Sequence, residues 1–348
     1  MTVAEYSITV RQAVAEDAEQ WDQYVAGAEA GTFCHRFGWS RVLHKAFGHR
    51  PRFLLALSQE RIVGVLPLAE VNSRLFGRTL CSLPFCVYGG ILADSPEAEA
   101  ALRDAACELA RNSRVGSMEF RVTRQTSSDW PSKDLYYTFR KVLEADHDVN
   151  LKAIPNRQRA MIRKGISAGL SSEETVDHKR LYRVYSESVR NLGTPVFSAR
   201  YLKLLQDEFG EDCRILMITD GGDDVAGVMS FYFRGEVLPY YGGSTAAART
   251  IKGCNHFMYW ELMRRSVDEG VMGFDFGRSK MGTGPFSFKK NWGFEPQQLP
   301  YEYFLLNRDD VPNLSPANPK YRLLINTWQR LPLPLANRIG PLIAGSLG

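Results

Sequence analysis

Residues 53–121 and 214–278 carry the same succession of apolar and polar runs. The earlier stretch is apolar over Phe53–Leu57, breaks at Gln59-Glu-Arg, and resumes over Ile62–Val71 and Thr79–Tyr88. It turns Ala- and Glu-rich from Ser95 to Arg111 and closes on Ser117–Thr123. Short apolar runs bounded by turn residues predict strands, and the Ala-rich run with Pro96 in its first turn predicts a helix. Two helices are predicted before this unit. Asp17–Ala28 carries Trp21 and Tyr24, and Trp39–Phe47 ends near Gly48. Ser7–Val14 alternates like a first strand. The later stretch repeats the order: helices at Asp177–Leu192 and Ser198–Phe209, strands at Cys213–Thr219, Val225–Phe233 and Glu236–Tyr241, a helix at His256–Glu269 and a strand at Val271–Phe276.

Landmarks recur in register with these elements. Ile62-Val-Gly-Val matches Val225-Ala-Gly-Val, Tyr88-Gly-Gly matches Tyr241-Gly-Gly, and Met118-Glu-Phe-Arg matches Phe274-Asp-Phe-Gly-Arg. The offset drifts from 163 residues between Gly64 and Gly227 to 153 between Gly89 and Gly242, as one loop insertion or deletion would give. A period this long is no solenoid and implies two similar domains. Each reads helix, helix, three antiparallel strands, helix, strand. A helix crossing between neighbouring strands makes that last pair parallel. The expected class is α+β from an internal duplication, with domains at 1–145 and 146–310 and a basic, apolar tail at 311–348.

Composition narrows the function classes. A hydrophobic share of 44% with 24% charged residues suits a globular protein, and a net charge of +4 gives no global field for nucleic acid. Six scattered cysteines without a Cys-x-x-Cys pair suit a reduced cytoplasm. The N-terminus lacks the basic and apolar regions of a signal peptide, and no run of about 18 apolar residues exists. The expected location is cytoplasmic. The histidines show no metal-ligand spacing, so no metal site is expected.

The densest candidate patch is Phe274-Asp-Phe-Gly-Arg-Ser followed by Phe288-Lys-Lys-Asn-Trp-Gly-Phe. A lysine among aromatic rings can hold an anionic group where water is excluded. Lys289 is the first candidate there, with Phe288 and Arg278 beside it and Met281-Gly-Thr-Gly-Pro as a flexible loop between. Asp275 sits between two phenylalanines that face the other way on a strand, which points its carboxylate toward the site to orient or deprotonate an amine. Tyr241, before Gly242 and Gly243, is a candidate acid for the leaving group.

Two basic stretches stand out. Leu151 to Ser172 holds Lys152, Arg157, Arg159, Arg163 and Lys164; the last four fall on one half of a helical wheel, with Met161, Ile162 and Ile166 on the other. They read either as an electropositive wall for a phosphorylated substrate or as a solvated face. From Val311 onward, Lys320, Arg322, Arg330 and Arg338 meet no acidic side chain. Mixed with Trp328 and leucines, this tail reads either as a peripheral membrane contact through 320–348 or as a strap on the body of the protein.

The duplicated unit with its Asp-Phe-Gly strand and Phe-Lys-Lys-x-x-Gly-Phe ending resembles the FemAB proteins over roughly residues 7–306. Leu192-Gly-Thr-Pro-Val-Phe, Ile154-Pro-Asn-Arg-Gln-Arg and Asn318-Pro-Lys-Tyr-Arg resemble the FemAB-related proteins encoded near PEP-CTERM/exosortase exopolysaccharide loci. The resemblance implies two tandem domains of the GNAT acetyltransferase fold. It also implies transfer of an acyl or aminoacyl group to an amine of a cell-envelope peptide or saccharide precursor, phosphorylated or lipid-linked. It implies an aminoacyl-tRNA as donor, with Phe288 and Lys289 at the transferred ester. Two departures stand against the family pattern. No long heptad arm for tRNA is present, and the GNAT phosphate loop is imperfect at Arg249, Thr250, Gly253 and Asn255. An acyl-CoA or acyl-carrier-protein donor, and a non-catalytic role in an exopolysaccharide machine, are the alternatives.

Overall fold

Two units make up the chain: Met1–Tyr136 with Gln298–Pro312 and Ser346–Gly348, and Tyr137–Gln297 with Asn313–Gly345. Residues 298–310, counted with the later domain from sequence, thus group with the earlier residues. The computed structural model describes residues 7–73, 77–126, 129–306, 311 and 319–346.

In the first unit Thr9–Gln12, Leu54–Ser58, Arg61–Leu66 and Leu92–Ala93 form one antiparallel sheet. Arg50–Pro51, Ala69–Ser73, Gly77–Ser82, Ser117–Phe120 and the strand Pro296–Leu305 belong to another. The sequence predicts one strand over Ile62–Val71. The structure has two, Arg61–Leu66 and Ala69–Ser73, because Pro67 has no N–H to offer a ladder. The predicted strand Thr79–Tyr88 stops at Ser82. The helix Pro96–Asn112, capped by the Ser95 hydroxyl, buries Leu102, Ala106 and Ala110 against Leu54, Leu66, Met118 and Phe120.

In the second unit Ser171–Thr175, Cys213–Asp220, Asp223–Phe233, Glu236–Ser244, Gly273–Asp275 and the end of Ser132–Val142 pair in that order. The expected parallel pair is present in both units. Thr79–Ser82 runs parallel to Ser117–Phe120, and Glu236–Val237 parallel to Gly273–Phe274, each after a crossing helix. Helices cover both faces of the second sheet. Ala226, Val228 and Tyr232 pack with Phe257, Trp260 and Met263 of the helix Cys254–Asp268. On the alternate positions, Phe231 meets Phe209 of the helix Ala199–Phe209. Asn156–Ser167 packs beside Cys254–Asp268, and His178–Asn191 beside Ala199–Phe209.

The tail forms two helices, Pro319–Arg330 and Leu333–Ala344, and both dock on His178–Asn191. Arg190 Nη1 donates to the carbonyl of Gln329 at 3.3 Å, Gln329 Nε2 to that of Asn191 at 3.1 Å, and Asn337 Nδ2 to Ser186 Oγ at 3.3 Å. The strap of the sequence reading is therefore present. Lys320 and Arg322 lie outside the residues whose side chains are described. Among the described residues no helix is long and apolar enough to cross a membrane.

Candidate active site

Lys289 is carried by a helix that begins within the loop expected from sequence at Met281-Gly-Thr-Gly-Pro. Thr283 takes an extended conformation as N-cap, Pro285 falls in the first turn, and Gly284–Asn291 winds from there. Proline is pre-organised for that first turn and loses nothing there for want of an N–H. Gly293, with φ of 80°, closes the far end. Buried Trp292 and half-buried Phe288 anchor one side of the helix, while Ser287 and Lys290 are exposed.

The Lys289 stem passes Phe139, whose ring centroid lies 5.8 Å from Nζ. Nζ donates to the carbonyls of Gly277 at 3.0 Å and Arg278 at 3.2 Å. Burial pushes this ammonium down to about 7, the Asp275 charge opposes the fall, and the Arg278 charge adds to it. Beside it Phe276, Phe288, Trp292, Tyr259 and His256 form an aromatic box. The ring centroids lie 5.1 Å apart for His256 and Phe288, 5.7 Å for His256 and Trp292, and 5.0 Å for Tyr259 and Phe276. His256 Nε2 lies 3.1 Å from Gln158 Oε1, and burial lowers its pKa, so the imidazole is neutral at pH 7. Trp292 Nε1 is buried without a hydrogen-bond partner among the described residues.

Asp275 differs from its sequence expectation. Its carboxylate is fully buried, not open to a substrate. Oδ1 accepts from Thr138 Oγ1 at 3.1 Å and from the Gly277 amide at 2.7 Å, and Oδ2 lies 3.4 Å from Arg140 Nε. Arg140 also makes a bidentate pair with Glu236, at 2.7 Å from Nη2 to Oε1 and 3.0 Å from Nε to Oε2. Burial and the Asp275 charge raise Glu236, against the pull of Arg140. A chain of alternating charge, Glu236, Arg140, Asp275 and Lys289, therefore runs to the box. By holding the Gly277 amide, Asp275 fixes the loop whose carbonyls hold Lys289.

Tyr241 falls elsewhere. In the ladder with Asp223–Phe233, Ser230 faces Pro239 and Met229 faces Tyr241, so Tyr240 is an extra residue. A one-residue bulge flips the side chains beyond it. Tyr241 therefore points to the His178–Asn191 side, where its hydroxyl lies 2.8 Å from Tyr201 Oη among Tyr185 and Phe197. Lys289 and Phe288 belong to the opposite face, so the structure does not bring Tyr241 to them.

The basic helix Asn156–Ser167 buries Gln158, Ile162 and Gly165. Ile166, assigned to the apolar half from sequence, is 50% exposed. Arg157, Arg163 and Lys164 are exposed and make no ion pair among the described residues, while Arg159 is half-buried and bonds Asn156 Oδ1. Gly253 opens the neighbouring helix with φ of +90°, and a Cβ there would lie 2.1 Å from the Met161 carbonyl oxygen. Only glycine fits this contact, which locks the start of Cys254–Asp268 against the basic helix. Arg278 is half-buried and lends the site its carbonyl. A cavity of ≈ 730 Å³ lined by Glu174, His178, Lys203, Asp207 and Arg214 contains none of these residues. Its lysine pairs with Asp207 and its arginine with Glu269.

Thr138, Arg140, Gln158 and Glu236 escape the sequence reading. Alternation of Leu135, Tyr137 and Phe139 with polar residues is the signal that could have found the strand carrying the first two.

Residues 156–290, from the basic helix to the end of the Phe-Lys-Lys run, match the family model described as Acetyltransferase (GNAT) domain. No curated protein matches the sequence. Among solved structures, FemX is similar with a TM-score of 0.66 at 15% identity, over 91% of this chain and 100% of that one. L-PGS from Bacillus licheniformis gives 0.55 at 14% identity, covering 92% and 99%. A tandem GNAT protein from the clavulanic acid biosynthesis pathway gives 0.54 at 15%, covering 87% and 100%. The chain has the tandem GNAT fold, and residues 156–290 of its later unit match the acetyltransferase (GNAT) domain.

Proposed function

We propose that the later unit transfers an acyl or aminoacyl group to an amine of a cell-envelope peptide or saccharide precursor, with Lys289 as the proton acceptor. The placement of Lys289 Nζ on two carbonyls beside the aromatic box carries this reading. A neutral amine has two N–H bonds and one lone pair. Gly277 and Arg278 take both hydrogens, so the lone pair is left for a proton. The attacking nitrogen forms its bond to the donor carbonyl, its proton passes to Lys289, and the C–O bond of an ester or C–S bond of a thioester breaks. The proton then returns to the leaving oxygen or sulfur. Box rings exclude water and strengthen every charge interaction within. Asp275 is a positioning residue in this scheme, and Tyr241 takes no part.

Arg157, Arg163 and Lys164 are proposed to meet donor phosphates, with Arg159 on the same helix. Similarity to FemX and to a lysylphosphatidylglycerol synthetase supports an aminoacyl-tRNA donor and a phosphorylated or lipid-linked acceptor. The resemblance to proteins of PEP-CTERM/exosortase loci makes an exopolysaccharide precursor one such acceptor. The glycine that opens Cys254–Asp268, a helix N-terminus beside the basic helix, favours acyl-CoA as the second reading. Thermal melting separates them. A ligand at 100 times its Kd adds about 2.7 kcal/mol to the state that binds it. A midpoint raised by several degrees with tRNA and unmoved by coenzyme A is the expected result, and the reverse pattern selects the acyl-CoA reading. Mass spectra of envelope precursors that are unchanged when the gene is deleted would favour a non-catalytic role.

A further inference from the structure

The last helix is packed inside out. Leu333–Ala344 turns its small residues inward: Ala336, Gly340 and Ala344 are buried, and a Cβ on Gly340 would lie 2.9 Å from the Val196 backbone nitrogen. Two of its leucines turn outward. Leu335 is 42% exposed and Leu342 80%. Seven residues apart, they lie on one line of the helix, with exposed Arg338 between them. The preceding helix also shows a leucine and an arginine to solvent. Ile325 packs on Gly193, while Leu324 is 64% exposed and Arg330 is exposed. An ordinary surface helix buries its leucines and shows its small and polar side chains.

We propose that this outward face docks on an anionic lipid bilayer. Charge identifies the occupant. Residues 311–348 hold four cationic side chains and no carboxylate side chain. A second copy of the chain would set these cations against each other with no acid on the strap to pair them. Lipid phosphates supply the missing negative charge, and leucines entering the acyl boundary complete an interfacial contact. The contact is independent of the reaction proposed above.

Co-sedimentation of the full chain with vesicles tests it. Binding is expected to vesicles of phosphatidylglycerol and phosphatidylcholine, to weaken with salt, and to be absent with phosphatidylcholine alone. Leu335→Ser with Leu342→Ser should lower the partition coefficient on the order of tenfold or more. Arg330→Gln and Arg338→Gln should each lower it roughly fivefold. Melting midpoints should stay with the parent, since all four side chains face outward. Equal binding to neutral vesicles, no binding to either, or variants that bind like the parent overturns the proposal. A concentration-dependent dimer that the leucine variants abolish assigns the face to a second copy and overturns it too.

Discussion

Lys289→Met is expected to lower kcat/KM by about 10²–10⁴-fold, the usual worth of a general base. Methionine keeps the unbranched stem against Phe139 and removes only the nitrogen. Lys289→Arg should fail nearly as badly, because a guanidinium stays charged and has no lone pair to accept a proton. The pH profile separates this role from a purely structural one. With the folded-state ammonium at about 7, kcat/KM should rise close to tenfold per pH unit below that value and level off above it. Stability moves the same way. Between about 7 and the ordinary lysine value of 10.5, the unfolded chain binds a proton that the folded one has released. Unfolding free energy therefore gains from this group as pH rises through that window, and the burden is fully present below it. In Lys289→Met both slopes should vanish together. A variant with full activity, or a parent whose rate is flat from pH 6 to 8, removes Lys289 from the chemistry.

The architecture was legible because it rests on local periodicity and on repetition. The crossing helices and the parallel pairs at Ser117–Phe120 and Gly273–Asp275 follow from run lengths alone. The Phe-Lys run was legible as chemistry because its members are sequence neighbours. Its helix was not, since Gly282, Thr283, Gly284 and Pro285 read as a loop until Pro285 is recognised as a first-turn residue. Asp275 was misjudged because alternation assigns an open face only when one side of a sheet is bare. Helices cover both sides here, so Phe274, Asp275 and Phe276 are all buried. Tyr241 was misjudged by one residue, the bulge at Tyr240, which no periodicity reveals. Arg140 and Glu236 stayed hidden because their pairing depends on strands far apart in sequence.

Arg121→Leu is expected to destabilise the first unit by about 3–5 kcal/mol, the range for breaking a buried ion pair. Repetition explains why an arginine is there. Glu119 occupies the landmark position that Asp275 occupies in the later unit, on a strand parallel to its predecessor. Where the later unit has Gly277 and a lysine docked on carbonyls, the first has Arg121. Its Nε donates to Glu119 at 2.7 Å, and Nη1 donates to the carbonyls of Leu83 at 3.0 Å and Cys86 at 2.6 Å. Tyr301 lies under the guanidinium at 5.9 Å. The arginine is only 5% exposed, so these bonds fill the position with a fixed cation. Leucine fills the volume but removes the one cation that Glu119 and the carbonyls of Leu83 and Cys86 share. Lysine cannot rescue it, because one ammonium lacks the planar fork that reaches Glu119 and the two carbonyls at once. Adding Glu119→Leu to Arg121→Leu should recover a large part of the loss, since apolar replacement of both partners is often near neutral. Urea unfolding of the single and double variants checks this: the single change should lower the midpoint and the second should raise it again. If Arg121→Leu unfolds like the parent, the arginine does not hold the first unit's position closed. The difference between the two copies would then need another cause than this exchange of a docked lysine for a locked arginine.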